Sequence, residues 1–254
     1  MTTEDPGTQE FIPYGRQCIT PEDISAVTNV LKSSMLTQGE VVPRLENNLA
    51  STFKVSHVIA VNSATSALHL GCLALGLGEG DWLWTSPVSF VASSNCGLYC
   101  GARIDFVDVE RGTGLLCTKK LAEKLERAEK EGTLPKVVVP VHLTGTSCDM
   151  QKIRELSKKY GFYVLEDASH ACGASYKESM VGSCEYSDIT VFSFHPVKII
   201  TTGEGGCATT NDPALAQRMQ DLRSHGITKD VKRFELEQQG PWSYEQQALG
   251  FNYR

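Results

Sequence analysis

Lys136-Val-Val-Val-Pro-Val141 reads as a buried strand, Asp149 to Tyr160 as a helix, and Phe162-Tyr-Val-Leu-Glu166 as the next strand. Two β-rich runs joined through a helix call for parallel pairing, because a parallel connection must cross the sheet. The same alternation continues on both sides. Upstream, His57-Val-Ile-Ala-Val61 predicts a strand, Thr65 to Leu75 a helix, Trp82-Leu-Trp84 a strand and Phe90 to Tyr99 a helix. Arg103-Ile-Asp-Phe-Val-Asp108 follows as a strand and Lys119 to Lys130 as a charged helix. Downstream, Asp188-Ile-Thr-Val-Phe192 and Gly206-Cys-Ala-Thr-Thr210 are strands, and a last helix runs from Asp212-Pro213 to about His225. This pattern predicts an α/β fold in three layers, with a mainly parallel sheet covered on both faces. Ligands of such sheets gather at the carboxyl ends of the strands.

Residues 1 to about 10 read as a loose tail, and the domain reading sets residues 1–20 apart from a large domain over 21–254. Thr20-Pro-Glu-Asp opens a helix with a hydroxyl cap, a first-turn proline and acids near the positive end of the dipole, followed by Ile24, Val27, Val30 and Leu31 at helical spacing. A turn at Leu36-Thr-Gln-Gly39 leads to a second helix from Val41 to about Phe53. Lys229 to Gln247 is polar and weakly patterned.

Composition narrows the function. The 254 residues are 41% hydrophobic, enough for a substantial core, and carry a net charge of −6 with acids and bases interspersed. That balance argues against nucleic acid or an anionic membrane as partner and favours a small molecule. No apolar run is long enough to span a bilayer and no signal-peptide pattern opens the chain, so a cytoplasmic protein is expected. Nine cysteines, an odd number without paired C-x-x-C spacing, fit buried thiols in a reducing compartment; no metal site is expected.

Several polar residues fall at strand ends that share one face. Asn62-Ser-Ala-Thr65-Ser66 opens a helix, where free amides and two hydroxyls hold a phosphate or simply cap the helix. Phe90, after the strand at Trp82, is either core or an aromatic plate for a flat ring. Asp167 leaves a buried strand and needs a partner, either a protonated heteroaromatic nitrogen or a hydrogen bond within the protein. His170 contacts a ligand oxygen or satisfies a loop carbonyl. Ser193 and Lys198 follow Val191-Phe192, and Lys198 lies between Val197 and Ile199-Ile200, an apolar setting that lowers a lysine's proton affinity and makes it a candidate amine nucleophile; the alternative is a surface lysine. A phosphate cradle, a plate, an acid and a desolvated lysine together match the needs of pyridoxal phosphate.

The chain resembles the DegT/DnrJ/StrS sugar aminotransferases, a branch of the fold type I pyridoxal-phosphate enzymes. The resemblance is carried from Ile12-Pro-Tyr-Gly-Arg16 to Gly250-Phe-Asn-Tyr-Arg254 by Leu36-Thr-Gln-Gly39, Asn62-Ser-Ala-Thr-Ser-Ala-Leu68, Thr85-Ser-Pro-Val-Ser-Phe90, Pro140-Val-His-Leu-Thr-Gly145, Glu166-Asp-Ala-Ser-His-Ala171 and Phe192-Ser-Phe-His-Pro-Val-Lys198. It implies that Lys198 bonds the cofactor's aldehyde carbon and moves the proton, that Asp167 pairs with the ring nitrogen, and that Phe90 stacks on the ring with His170 near its face. It implies phosphate contacts from Thr65, Ser66 and Ser193, and from Asn252 to the cofactor of a neighbouring subunit, hence a homodimer. The branch it looks most like transfers an amino group from glutamate to the 4-keto group of a UDP-linked 6-deoxy sugar, UDP-2-acetamido-2,6-dideoxy-β-L-arabino-hex-4-ulose, in biosynthesis of the pseudaminic acid type. Members of the family continue past the equivalent of Arg254 into a small C-terminal domain, so the sequence is expected to be the large domain without it. The alternative is an inactive protein of the same fold, or a partner for a full-length subunit.

Overall fold

In the computed structural model, residues 12, 13 and 15–254 are described; the loose tail expected over residues 1 to 10 lies outside them. Seven strands form the central sheet: β1 (His57–Val61), β2 (Trp82–Thr85), β3 (Arg103–Phe106), β4 (Val137–Val139), β5 (Tyr163–Asp167), β8 (Ile189–Ser193) and β9 (Gly206–Thr210). Their order across the sheet is β1-β9-β8-β5-β4-β2-β3. Two small ribbons complete the strands, β6 (Ser175–Tyr176) with β7 (Ser179–Met180), and β10 (Ile227–Thr228) with β11 (Glu245–Gln246). The sheet is parallel from β3 to β8, and β9 then pairs antiparallel with both β8 and β1. Strand β1 therefore points the same way as β8. One edge of the sheet gathers the carboxyl ends of six strands and the start of β9.

Helices cover both faces, as the alternation predicts. On one face lie α3 (Ala64–Ala74), α4 (Ala92–Tyr99) and α7 (Pro213–Arg223); on the other lie α2 (Val41–Phe53), α5 (Thr118–Glu131) and α6 (Met150–Tyr160). The two-residue period of the strands sorts the core accordingly. Leu83, Val137, Val139, Leu165, Val191 and Ala208 pack under α3, α4 and α7. Trp84, Val138 and Val164 turn to the other face under α5 and α6, and Val58, Phe192 and Cys207 pack under α2. There the Phe53 and Phe192 rings stack with centroids 4.5 Å apart.

Helix α1 (Pro21–Leu31) has the expected start: Thr20 and Asp23 close a reciprocal capping box. Its apolar spacing predicts a buried face, and that is not what is found. Ile24, Val27 and Leu31 are 60%, 62% and 66% exposed, because no described element packs over them. Helix α4 starts at Ala92, two residues later than expected, which leaves Phe90 on the connection after β2. The weakly patterned stretch after α7 folds into the β10–β11 ribbon and then runs back along the sheet edge, where the Asn62 amide donates to the Tyr253 carbonyl at 2.8 Å.

Candidate active site

The carboxyl edge of the sheet brings together the residues that the sequence singles out, under different degrees of constraint. Asp167 ends β5 and is 4% exposed. Its Oδ2 accepts the hydroxyl of Ser93 at 2.6 Å and its Oδ1 accepts the Ser169 amide at 3.1 Å. A buried carboxylate needs such donors to remain charged. Of the two partners that the sequence leaves open for Asp167, the hydrogen bonds within the protein are present, and each oxygen keeps acceptor capacity for another donor.

Helix α3 starts immediately after β1. Ser63 caps it, accepting the Ser66 amide at 3.1 Å. The amides of Ala64 and Thr65 belong to the first turn, where no intrahelical acceptor exists, and the helix dipole adds positive potential there. Thr65 is half-buried at this end. Ser66 sits deeper than the sequence suggests: it is buried, and its hydroxyl donates to Asn62 Oδ1 at 2.6 Å. Gly206, at the start of β9, lies hard against this turn. A Cβ there would stand 2.6 Å from the Ala64 nitrogen and 2.7 Å from the Phe192 carbonyl oxygen, so only glycine lets the strand and the helix start approach this closely. Ser193 closes the same edge from β8, buried, with its hydroxyl oxygen 3.5 Å from the His195 amide.

Lys198 lies on the β8–β9 connection. Its amide donates to the His195 carbonyl at 2.9 Å, and the loop is tied by the Phe194 amide on the Gly205 carbonyl and the Thr202 amide on the Phe194 carbonyl. The lysine is half-buried, and burial lowers its proton affinity against the opposing pull of Asp167. The apolar neighbours contribute to this differently from the sequence expectation. Val197, Ile199 and Ile200 are 49%, 65% and 47% exposed, so they flank the ammonium without enclosing it. His170 is also partly buried. Burial and the Lys198 charge lower its proton affinity, while Asp167 works the other way. Its Nδ1 accepts the Thr144 amide at 3.3 Å, which puts the neutral ring's proton on Nε2 as a free donor; a contact to a loop carbonyl is not what occupies it.

Phe90 is 73% exposed, so of the two expectations for it the core is overturned: the ring stands in front of the sheet edge, clear of the hydrophobic clusters. Asn252 is exposed, and its carbonyl accepts the Asn62 side-chain amide at 3.4 Å, at the rim of this chain's own α3 turn.

Two features escaped the sequence reading. Ser93 is completely buried on the first turn of α4 and touches the acid directly. His142, also fully buried, places Nε2 2.9 Å from Glu166, the residue just before the acid, which faces the other side of the sheet. Its Nδ1 accepts the Cys148 amide at 3.3 Å. This pair braces β5 against the loop after β4.

Among the described residues no group of three or more His, Cys, Asp or Glu side chains is placed to hold a metal ion, and no helix is long and apolar enough to cross a membrane. The residues do fit pyridoxal phosphate: a glycine-lined helix start for the phosphate, an exposed ring for the pyridine, a buried hydrogen-bonded carboxylate for its nitrogen, and a lysine of reduced proton affinity for its aldehyde.

Comparison with known proteins points the same way. The model of the DegT/DnrJ/EryC1/StrS aminotransferase family matches residues 17–254. A UDP-4-amino-4,6-dideoxy-N-acetyl-β-L-altrosamine transaminase from Campylobacter jejuni subsp. jejuni serotype O:23/36 (strain 81-176) is 41% identical over 244 residues, covering 96% of this chain and 61% of that protein. Among solved structures, Helicobacter pylori PseC, described as an aminotransferase involved in the biosynthesis of pseudoaminic acid, superposes with a TM-score of 0.82 at 34% identity, over 95% of this chain and 61% of that one. A sugar aminotransferase of Streptococcus pneumoniae in its PLP form gives a TM-score of 0.79 at 28% identity, over 94% and 62% of the two chains. The chain thus spans about three-fifths of the length of these relatives.

Proposed function

The chain belongs to the DegT/DnrJ/EryC1/StrS aminotransferase family, whose members depend on pyridoxal phosphate, and from that premise we propose that it binds this cofactor at the carboxyl edge of its sheet and takes part in transaminating a nucleotide-linked sugar. The observation that carries the reading is the placement of the buried, hydrogen-bonded Asp167 and the half-buried Lys198 at one sheet edge. When bound, the cofactor supplies an electron sink through which an amino group passes from an amino acid to a carbonyl.

The chain's own residues then divide the work. Lys198 Nζ, whose proton is held less tightly than an ordinary lysine's, would hold the cofactor through its aldehyde carbon and would otherwise take up and return a proton. Asp167 would accept a hydrogen bond from the protonated ring nitrogen. Phe90 would supply an aromatic face for the ring, and His170 Nε2 a donor to it. Thr65 with the first amides of α3, together with Ser193, binds the phosphate, and Ser66 stiffens that turn through Asn62. Residues 21–254 act as the cofactor-binding large domain of a longer fold.

The finer reading follows the relatives' names. We take the acceptor to be a UDP-linked 4-keto-6-deoxy sugar on a route of the pseudaminic acid type, and glutamate to be the donor. A homodimer fits the exposure of Asn252, which in this reading reaches the neighbouring subunit's cofactor phosphate. The nine free thiols fit a cytoplasmic setting.

The test is near-visible absorbance of the purified chain with added pyridoxal phosphate, before and after borohydride, with Lys198→Ala alongside. A yellow band that borohydride removes and the variant lacks is expected, followed by its loss on adding glutamate. A colourless protein from a folded, monodisperse sample would overturn the reading of this chain as an enzyme by itself and favour a protein that serves a full-length partner.

A further inference from the structure

Ser93 is 0% exposed, sits on the first turn of α4, and has one hydroxyl proton to give. That proton lies between Ser93 Oγ and Asp167 Oδ2, which are 2.6 Å apart. An ionised carboxylate only accepts, so Ser93 is the donor of this bond. The hydroxyl of Ser89 lies 2.9 Å from Ser93 Oγ, and since the Ser93 proton is already committed, Ser89 must donate in that second bond. The result is a directed chain: Ser89 gives to Ser93, and Ser93 gives to Asp167. Each donation polarises the next hydroxyl, and burial strengthens the effect.

We propose that Ser93, aligned by Ser89, is the positioning residue that fixes Asp167 Oδ2 and aims the carboxylate at the cofactor's ring nitrogen. The inference rests on the proposed cofactor reading for its function, and on the two hydrogen bonds for its geometry. Fixing Oδ2 through Ser93 and Oδ1 through the Ser169 amide leaves the carboxylate no freedom to rotate. The other charged and titratable groups facing this carboxylate are Lys198, from the β8–β9 connection, and His170, from the loop after β5. Glu166 is turned to the opposite face and held by His142.

The experiment records the Asp167 carboxyl resonance by carbon-13 NMR at neutral pH in the full chain, labelled at aspartate, with and without pyridoxal phosphate. Ser93→Ala, Ser93→Thr and Ser89→Ala are compared with the parent, and assignment uses Asp167→Asn. Losing a hydrogen bond to a charged group is expected to displace that resonance in Ser93→Ala. Ser93→Thr restores the parent value, and Ser89→Ala moves it in the same direction by less. In the loaded protein, Ser93→Ala also moves the pH midpoint of the near-visible band upward, a signature that a merely structural role for the serine would leave in place. An Asp167 carboxyl resonance unchanged in both alanine variants, with the chain folded, overturns the inference. A displaced resonance in a protein that takes up no cofactor sustains the hydroxyl chain and removes the cofactor reading, so the two failures are separable. Ser89→Ala keeps the test decisive if Ser93→Ala does not fold, because Ser89 is only half-buried.

Discussion

Asp167 and Lys198 stand at the same edge of the sheet, yet the fold treats them differently. The acid ends a fully paired strand, is buried, and has a donor on each oxygen. The lysine rides on a connection flanked by exposed Val197, Ile199 and Ile200. One half of the site is built into the core, and the other is hung from a loop tied at Phe194, Thr202 and Gly205. The difference teaches that the site sets an acid fixed by the core beside a lysine carried on a loop, as expected where binding groups sit on loops over a rigid scaffold.

The sharpest way to break the comparison is to remove each partner in turn. In the proposed reading, Lys198→Ala is expected to lower amino transfer by about 10²–10⁴-fold, the range for a lost proton-transfer group, while leaving the unfolding free energy in urea within about 0.5 kcal/mol of the parent. Asp167→Ala should instead destabilise the chain by about 3 kcal/mol, because it strands the Ser93 hydroxyl and the Ser169 amide. Equal destabilisation by the two variants in denaturant titrations would show that the lysine loop is as much part of the core as the acid.

Gly206 tests the boundary between the two halves. Gly206→Ala forces a methyl against the Ala64 nitrogen and the Phe192 carbonyl and is expected to cost about 2 kcal/mol in urea unfolding, with weaker pyridoxal phosphate binding in a fluorescence titration. The smallest effect concerns His170. Its proton affinity is lowered in the folded chain, so the unfolded chain takes up that proton at higher pH. Its contribution to stability is intact above about pH 6.5 and declines as the pH falls below it, until the folded form is protonated as well. His170→Gln should therefore flatten the change in urea midpoint between about pH 7.5 and 5.5 relative to the parent.

The sheet was legible in the sequence because strands buried on both faces read as runs such as Val137-Val-Val139, and Gly206–Thr210 was placed to the residue. The direction of β9 was not, since a buried run carries no sign of which way it points. Apolar spacing misled at the periphery: α1 forms with its cap, but Ile24, Val27 and Leu31 stay exposed, because periodicity records a face and not what covers it. The same holds around Lys198, where apolar neighbours in sequence proved exposed in space. Asp167, His170 and Phe90 could be named from strand ends. Ser93 could not, since a serine in a helix's first turn reads as a capping residue, and its partner lies 74 positions away. The two serines four positions apart, Ser89 on the bend before α4 and Ser93 on its first turn, were the available hint.

Strand β9, inserted between β8 and β1, also sets a timetable. His57 finds its ladder partner in Thr210, about 150 residues later in the chain. At a synthesis rate of about 5–20 residues per second, the first strand to leave the ribosome waits on the order of 10–30 seconds for the strand that holds it in the sheet. Pairing across such a distance closes a large loop before any contact rewards it, which makes folding slow. Until then Val58, Ile59 and Val61, all buried in the finished protein, remain open to chaperones or to one another on neighbouring nascent chains.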